Sequence, residues 1–94
     1  MVYVVSGHHN SNYSGIFCYV FDSKVKMLDK VNELMAKDMN MSIEEFVKLQ
    51  KTNQENFNDI FPDGNERTYE ECMDEQSYYS NNGYEIIWGS RNVM

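Results

Sequence analysis

Ile16-Phe17-Cys18-Tyr19-Val20-Phe21 is an unbroken run of apolar and aromatic residues, and it restricts the fold of this chain more than any other stretch. Successive side chains of an extended strand point to opposite faces. Ile16, Cys18 and Val20 would therefore line one side of such a strand, and Phe17, Tyr19 and Phe21 the other. A strand that is apolar on both faces is expected in the middle of a sheet covered on both sides, or with one side closed by a second subunit. Val2-Tyr3-Val4-Val5 repeats the β-branched and aromatic signal, so residues 1–21 read as a hairpin.

The two runs are joined by Gly7-His8-His9-Asn10-Ser11-Asn12-Tyr13-Ser14, longer than the roughly 2 to 5 residues of an ordinary hairpin connection. Long loops often carry function. His8, His9, Asn12 and Tyr13 are accordingly the candidate small-ligand residues of this 7–15 loop. Neighbouring histidines on an extended chain point apart, and no Cys or acidic ligand stands at a metal-site spacing, so no metal and no cofactor is assigned. Cys18, inside an apolar run, reads as an inert core thiol.

Asp22-Ser23 ends the second run and supplies a helix cap. Val25, Leu28, Val31, Leu34 and Met35 then follow helical spacing from Lys24 to about Asp38, with lysines 24, 26, 30 and 37 on or beside the solvated face. Ser42 and Glu45 form a Ser-x-x-Glu capping box that starts a second helix at Ile43. Its stretch from Gln50 to Asn56 is almost wholly polar, so part of that helix is expected to project into solvent and fray. Phe61-Pro62-Asp63-Gly64-Asn65 stops it, since Pro cannot donate to the helix ladder and Asp-Gly suits a turn. Thr68 and Glu71 repeat the box, placing a third helix over about Tyr69 to Gln76 with Tyr69, Cys72 and Met73 inward.

Ser80-Asn81-Asn82-Gly83 is the strongest turn signal, and Tyr84 to Trp88 reads as a last strand with Ser77-Tyr78-Tyr79 as a short hairpin arm. Gly89 to Met94 is expected as a frayed or edge-lying tail. The outcome is one α+β domain over residues 1–94: a small, mainly antiparallel sheet in β-β-α-α-α-β order with helices packed on it.

Charge is distributed unevenly along this frame. The window from Glu55 to Glu75 holds Glu55, Asp59, Asp63, Glu66, Glu70, Glu71, Asp74 and Glu75 against Arg67 alone, which accounts for the whole formal charge of -7. Such a surface repels nucleic acid and anionic membrane and attracts basic proteins at low salt. Carboxylates in rows on rigid elements mimic phosphates to a protein that binds nucleic acid through Lys and Arg. The expected partner is therefore a basic host protein of the nucleic-acid-binding kind, engaged through Glu66, Glu70, Glu71, Asp74 and Glu75.

A cation-binding alternative runs from Asp59 to Glu70. With Asp59 first in a calcium loop, Asp63 falls fifth, Gly64 sixth and Glu70 twelfth, but Phe61 stands where an oxygen ligand is required. No phosphate-cradling glycine loop, nucleophile elbow or metal triad occurs, so the chain is not expected to be an enzyme. Tyr78, Tyr79, Tyr84 and Trp88 suit core and interface packing, and an exposed sheet face bearing them would suit a homodimer. No apolar run reaches the roughly 18 residues that cross a bilayer, and the expected setting is the cytoplasm. A short acidic chain rich in Asn, Tyr and Met without an enzyme signature resembles, in composition alone, the accessory proteins that bacteriophages use against host machinery. That resemblance implies a protein-binding inhibitor and carries over no site residues.

Overall fold

The computed structural model describes residues 1–9 and 15–92. Strand β1 (Val2–His8) and strand β2 (Phe17–Phe21) form the expected antiparallel hairpin, with Val5 opposite Tyr19 and Gly7 opposite Phe17. Helix α1 (Lys24–Asp38) follows, capped by Ser23, whose Oγ accepts from the Lys26 amide at 3.1 Å. Met39 is its C-cap, and Asn40 just beyond takes the left-handed conformation (φ 58°) that asparagine tolerates better than most residues.

The second expected helix is divided. Helix α2 (Ile43–Thr52) starts under Ser42, and helix α3 (Gln54–Ile60) restarts one residue after α2 ends. Asn53 is the reason: it terminates α2 and its side chain accepts from the Asn56 amide at 3.3 Å, capping a new helix. Helix α4 (Tyr69–Glu75) is where the capping box closes completely. Thr68 Oγ1 accepts from the Glu71 amide at 3.2 Å while the Glu71 carboxylate accepts from the Thr68 amide at 3.1 Å.

Strand β3 (Ser77–Tyr79) and strand β4 (Glu85–Arg91) complete an antiparallel four-stranded sheet in the order β2-β1-β4-β3. Two expectations are corrected here. β4 runs on through Gly89-Ser90-Arg91, which pair with Val4, Tyr3 and Val2 in the middle of the sheet. A frayed or edge-lying tail was expected because terminal residues are poorly ordered unless tied down, and pairing with the β-branched start of β1 ties this one down. β2, expected in the centre, is an edge strand, with Cys18, Tyr19 and Val20 exposed.

The register sorts the side chains. Val5, Tyr78, Ile86 and Trp88 lie on the sheet face that joins one buried cluster with Met27, Val31, Leu34 and Met35 of α1 and with Phe46, Phe57, Phe61, Tyr69 and Cys72. Edge-to-face contacts tie the helical part of this core together: Phe46 to Phe57 at 5.2 Å and Phe57 to Tyr69 at 5.6 Å between centroids. The opposite face carries Val4, Ser6, Cys18, Val20, Glu85 and Ile87, of which all but Val4 and Ser6 are exposed. Tyr78 and Trp88 thus belong to the core, and the four aromatics expected on a dimer-forming face do not lie together on an exposed one. No helix among the described residues is long and apolar enough to cross a membrane.

Candidate functional site

The acidic window folds around one carboxylate that points inward. Pro62-Asp63-Gly64 turns the chain after α3, and Asp63 Oδ1 accepts from the Asn65 amide at 2.8 Å and the Arg67 amide at 3.1 Å, an Asx-type turn. Its Oδ2 accepts from Arg67 Nη2 at 3.1 Å, the Tyr79 amide at 3.2 Å and Cys72 Sγ at 3.3 Å. The Asp63 side chain has no solvent exposure and that of Arg67 only 15%. Burial raises the Asp63 pKa, but the bonds from the Arg67 side chain, the Arg67 and Tyr79 amides and the Cys72 thiol outweigh it and hold the carboxyl below its ordinary range. Burial, and then the bond to Asp63, push the Cys72 thiol up to about 12.

Arg67 reaches across α4 as well. Its Nη1 bonds the Glu75 carboxylate and donates to Ser77 Oγ at 2.9 Å, so one guanidinium ties the turn, the end of α4 and β3. Burial works against that charge, and the bonds to Glu75 and Asp63 outweigh it and raise the pKa. The window's lone base is therefore already occupied by its own acids. Four-residue spacing places Glu70 beside Asp74 and Glu71 beside Glu75, two repulsive pairs worth a few tenths of a kcal/mol each. Arg67 offsets the second pair, and the cap formed by Glu71 uses its charge at the helix start, where the dipole favours it.

The five acidic residues expected to meet a partner are all exposed. They are not equivalent. Glu71 caps its helix, Glu75 pairs with Arg67, and Glu70 accepts from Gln54 Nε2, linking α4 to the first residue of α3. Glu66 stands in the left-handed region (φ 61°) between the turn and α4, and the Asp74 side chain makes no hydrogen bond or ion pair among the described residues. Glu55 and Asp59 of α3 are exposed too. Seven of the window's eight acids thus face solvent, and the eighth is neutralised internally by Arg67.

The residues of the two alternatives fall elsewhere. In the cation reading, Asp59 and Glu70 stand on different helices, and the Asp63 oxygens are taken by the donors named above. No group of three or more His, Cys, Asp or Glu side chains among the described residues is arranged to hold a metal ion. In the loop reading, His8 and His9 diverge. His8 Nε2 lies 3.0 Å from a Glu85 carboxylate oxygen, whereas the His9 ring packs edge-on against Phe17 and Tyr84, each 5.0 Å away. Asn12 and Tyr13 lie outside the described residues.

The Asp63–Arg67 hub was missed as a unit from the sequence. Its signal was present: one arginine within an acidic window, four residues beyond a Pro-Asp-Gly turn. Chemically, Asp63 and Cys72 are displaced in opposite directions away from neutrality, which suits them to structure more than to proton transfer near pH 7. The surface is a set of exposed carboxylates on a buried aromatic support. No protein-family model matches this chain, and no curated protein and no solved structure matches it.

Proposed function

We propose that the protein is a non-enzymatic binding module whose α3–α4 surface engages a basic, nucleic-acid-binding protein by presenting carboxylates in place of phosphates. The observation that carries this reading is the separation of charge by burial. The window's eight acids and one base leave -7, and because Asp63 and Arg67 are buried against each other, that -7 corresponds to seven solvent-facing carboxylates. A surface of this kind supports steering of a basic partner and competition with the polyanion it normally binds. The reading places the protein in the cytoplasm, which suits two unpaired cysteines, as an inhibitor of the kind that phage accessory proteins provide, acting as a homodimer.

Residues outside the helix cap and the Arg67 ion pairs define the test, and Gln at position 70 can still accept from Gln54. Glu66→Gln, Glu70→Gln and Asp74→Asn together remove three charges while leaving the Thr68–Glu71 cap and the Arg67 ion pairs in place. Exposed charge contacts are worth about 0.2–1 kcal/mol each, so affinity for a captured basic partner should fall roughly 3- to 100-fold. Unchanged capture by a variant whose circular dichroism matches the parent would refute the proposal.

A further inference from the structure

The two edges of the sheet are treated differently. At β3 the turn covers the backbone: the Gly64 amide bonds the Tyr79 carbonyl, Asp63 accepts from the Tyr79 amide, the Asn81 amide donates to the Pro62 carbonyl at 3.0 Å, and Asp63 bridges to Ser80. At β2 no strand or turn among the described residues pairs with the outer backbone. Phe17–Phe21 contains no charge, no proline and no glycine, the usual means by which proteins blunt an exposed edge. Of the nine large hydrophobic side chains that are most exposed, Ile16, Tyr19, Val20 and Val25 lie on or beside this strand, Ile16 at 74% and Val20 at 61%.

Charge distinguishes the two edges as places for a second copy of this chain. The carboxylates of α4 lie at the β3 side, because α4 leads directly into β3 and Asp63 sits on that edge. Near β2 the side-chain charges are mixed: Lys26 pairs with Asp22 at 2.9 Å, and Lys30 stands over the Tyr19 ring at 4.4 Å. A second copy joined through β3 would bring two acidic windows together. Joined through β2, the windows sit at opposite ends of the sheet, seven strand spacings or roughly 34 Å apart, several screening lengths in physiological salt.

We propose that β2 is a self-association edge, on which a second copy of this chain pairs its own β2 antiparallel about a two-fold axis normal to the sheet and centred on Tyr19. The axis keeps the helices of both copies on one side and makes the contact self-complementary. It sets Phe17 opposite Phe21 and Tyr19 opposite Tyr19 on the helix-bearing face, and Cys18 opposite Val20 on the other, with aromatic cross-strand pairs adding to the backbone ladder. Two four-stranded sheets become one of eight strands. A five-residue edge gives an interface at the small end of the stable range, so the dimer forms reversibly with concentration. This inference gives a geometry to the homodimer named above; it uses the position of the acidic surface but does not depend on what that surface binds.

Cys18 reports on it directly, since it is exposed and Cys72 is buried. In the Tyr19-centred register the two Cys18 Cα atoms stand roughly 8 Å apart, within reach of a short bis-maleimide. Sedimentation over a concentration series should show a monomer–dimer equilibrium, with cross-linked dimer forming at the higher concentrations and none from Cys18→Ser. Val20→Lys should weaken association at least tenfold, whereas Ile87→Lys, on the same face of β4, and the triple variant at Glu66, Glu70 and Asp74 should leave it unchanged. Amide exchange of the unmodified protein should slow in β2 as concentration rises, which tests the edge even if Val20→Lys does not fold. A monomer throughout, or a dimer insensitive to Val20→Lys with no added protection in β2, would overturn the proposal; loss of the dimer in Ile87→Lys alone would point to face-to-face packing instead.

Discussion

Asp63 is the residue on which the acidic half of the molecule turns. Its buried carboxylate takes donors from the turn, from Arg67, from α4 through Cys72 and from β3 through Tyr79. Removing one partner of a buried ion pair leaves the other uncompensated and costs about 3–5 kcal/mol. Asp63→Ala is expected to cost that much, read as a lowered denaturation midpoint with unchanged slope. The pH dependence follows from the sign of the shift. Because the folded carboxyl titrates below its unfolded value, its contribution is complete above the ordinary carboxylate range and disappears as pH falls through the lowered folded value. Chemical denaturation from neutral pH down to strongly acidic conditions should show a stability loss that Asp63→Asn, already without that charge, shows less steeply.

Among the elements, α4 has the most explicit local instructions. A helix of seven residues is too short to persist without help, and both its acids at the start and its box serve that need. Thr68→Ala removes the cap acceptor for the Glu71 amide and is expected to cost about 1 kcal/mol, measured by equilibrium unfolding. Glu71→Gln, which preserves the box chemistry, should cost less; an equal loss in both variants would contradict the capping account. Elements governed by local chemistry were legible in the sequence: the hairpin, the caps at Ser23, Ser42 and Thr68, and the turn at Ser80–Gly83. Elements governed by tertiary pairing were not. Gly89-Ser90-Arg91 is a strand only because β1 lies beside it, and β2 has the composition of a central strand at a position on the edge. Asn53 lies between, since its capping role was available from residue type but was hidden by a polar stretch that also suits a fraying helix.

At the scale of the whole molecule, the charge run in the sequence resolves into one buried pair and a shell of exposed carboxylates supported by an aromatic core. The sequence marked the run and its five forward residues, but not the division of labour among them. Which acids are committed to Arg67, to the cap or to Gln54 depends on how the turn folds back on β3, a long-range fact with no local signature. The sheet separates this acidic end from the edge strand β2, so the proposed partner surface and the proposed self-association edge lie at opposite ends of one small protein. The most direct test of the acidic surface is capture from a bacterial lysate across a salt series, with mass spectrometry of the bound proteins and displacement by duplex DNA. The account predicts basic nucleic-acid-binding proteins that are released as salt rises and competed away by the DNA. Capture of a partner that is indifferent to both salt and DNA would contradict it.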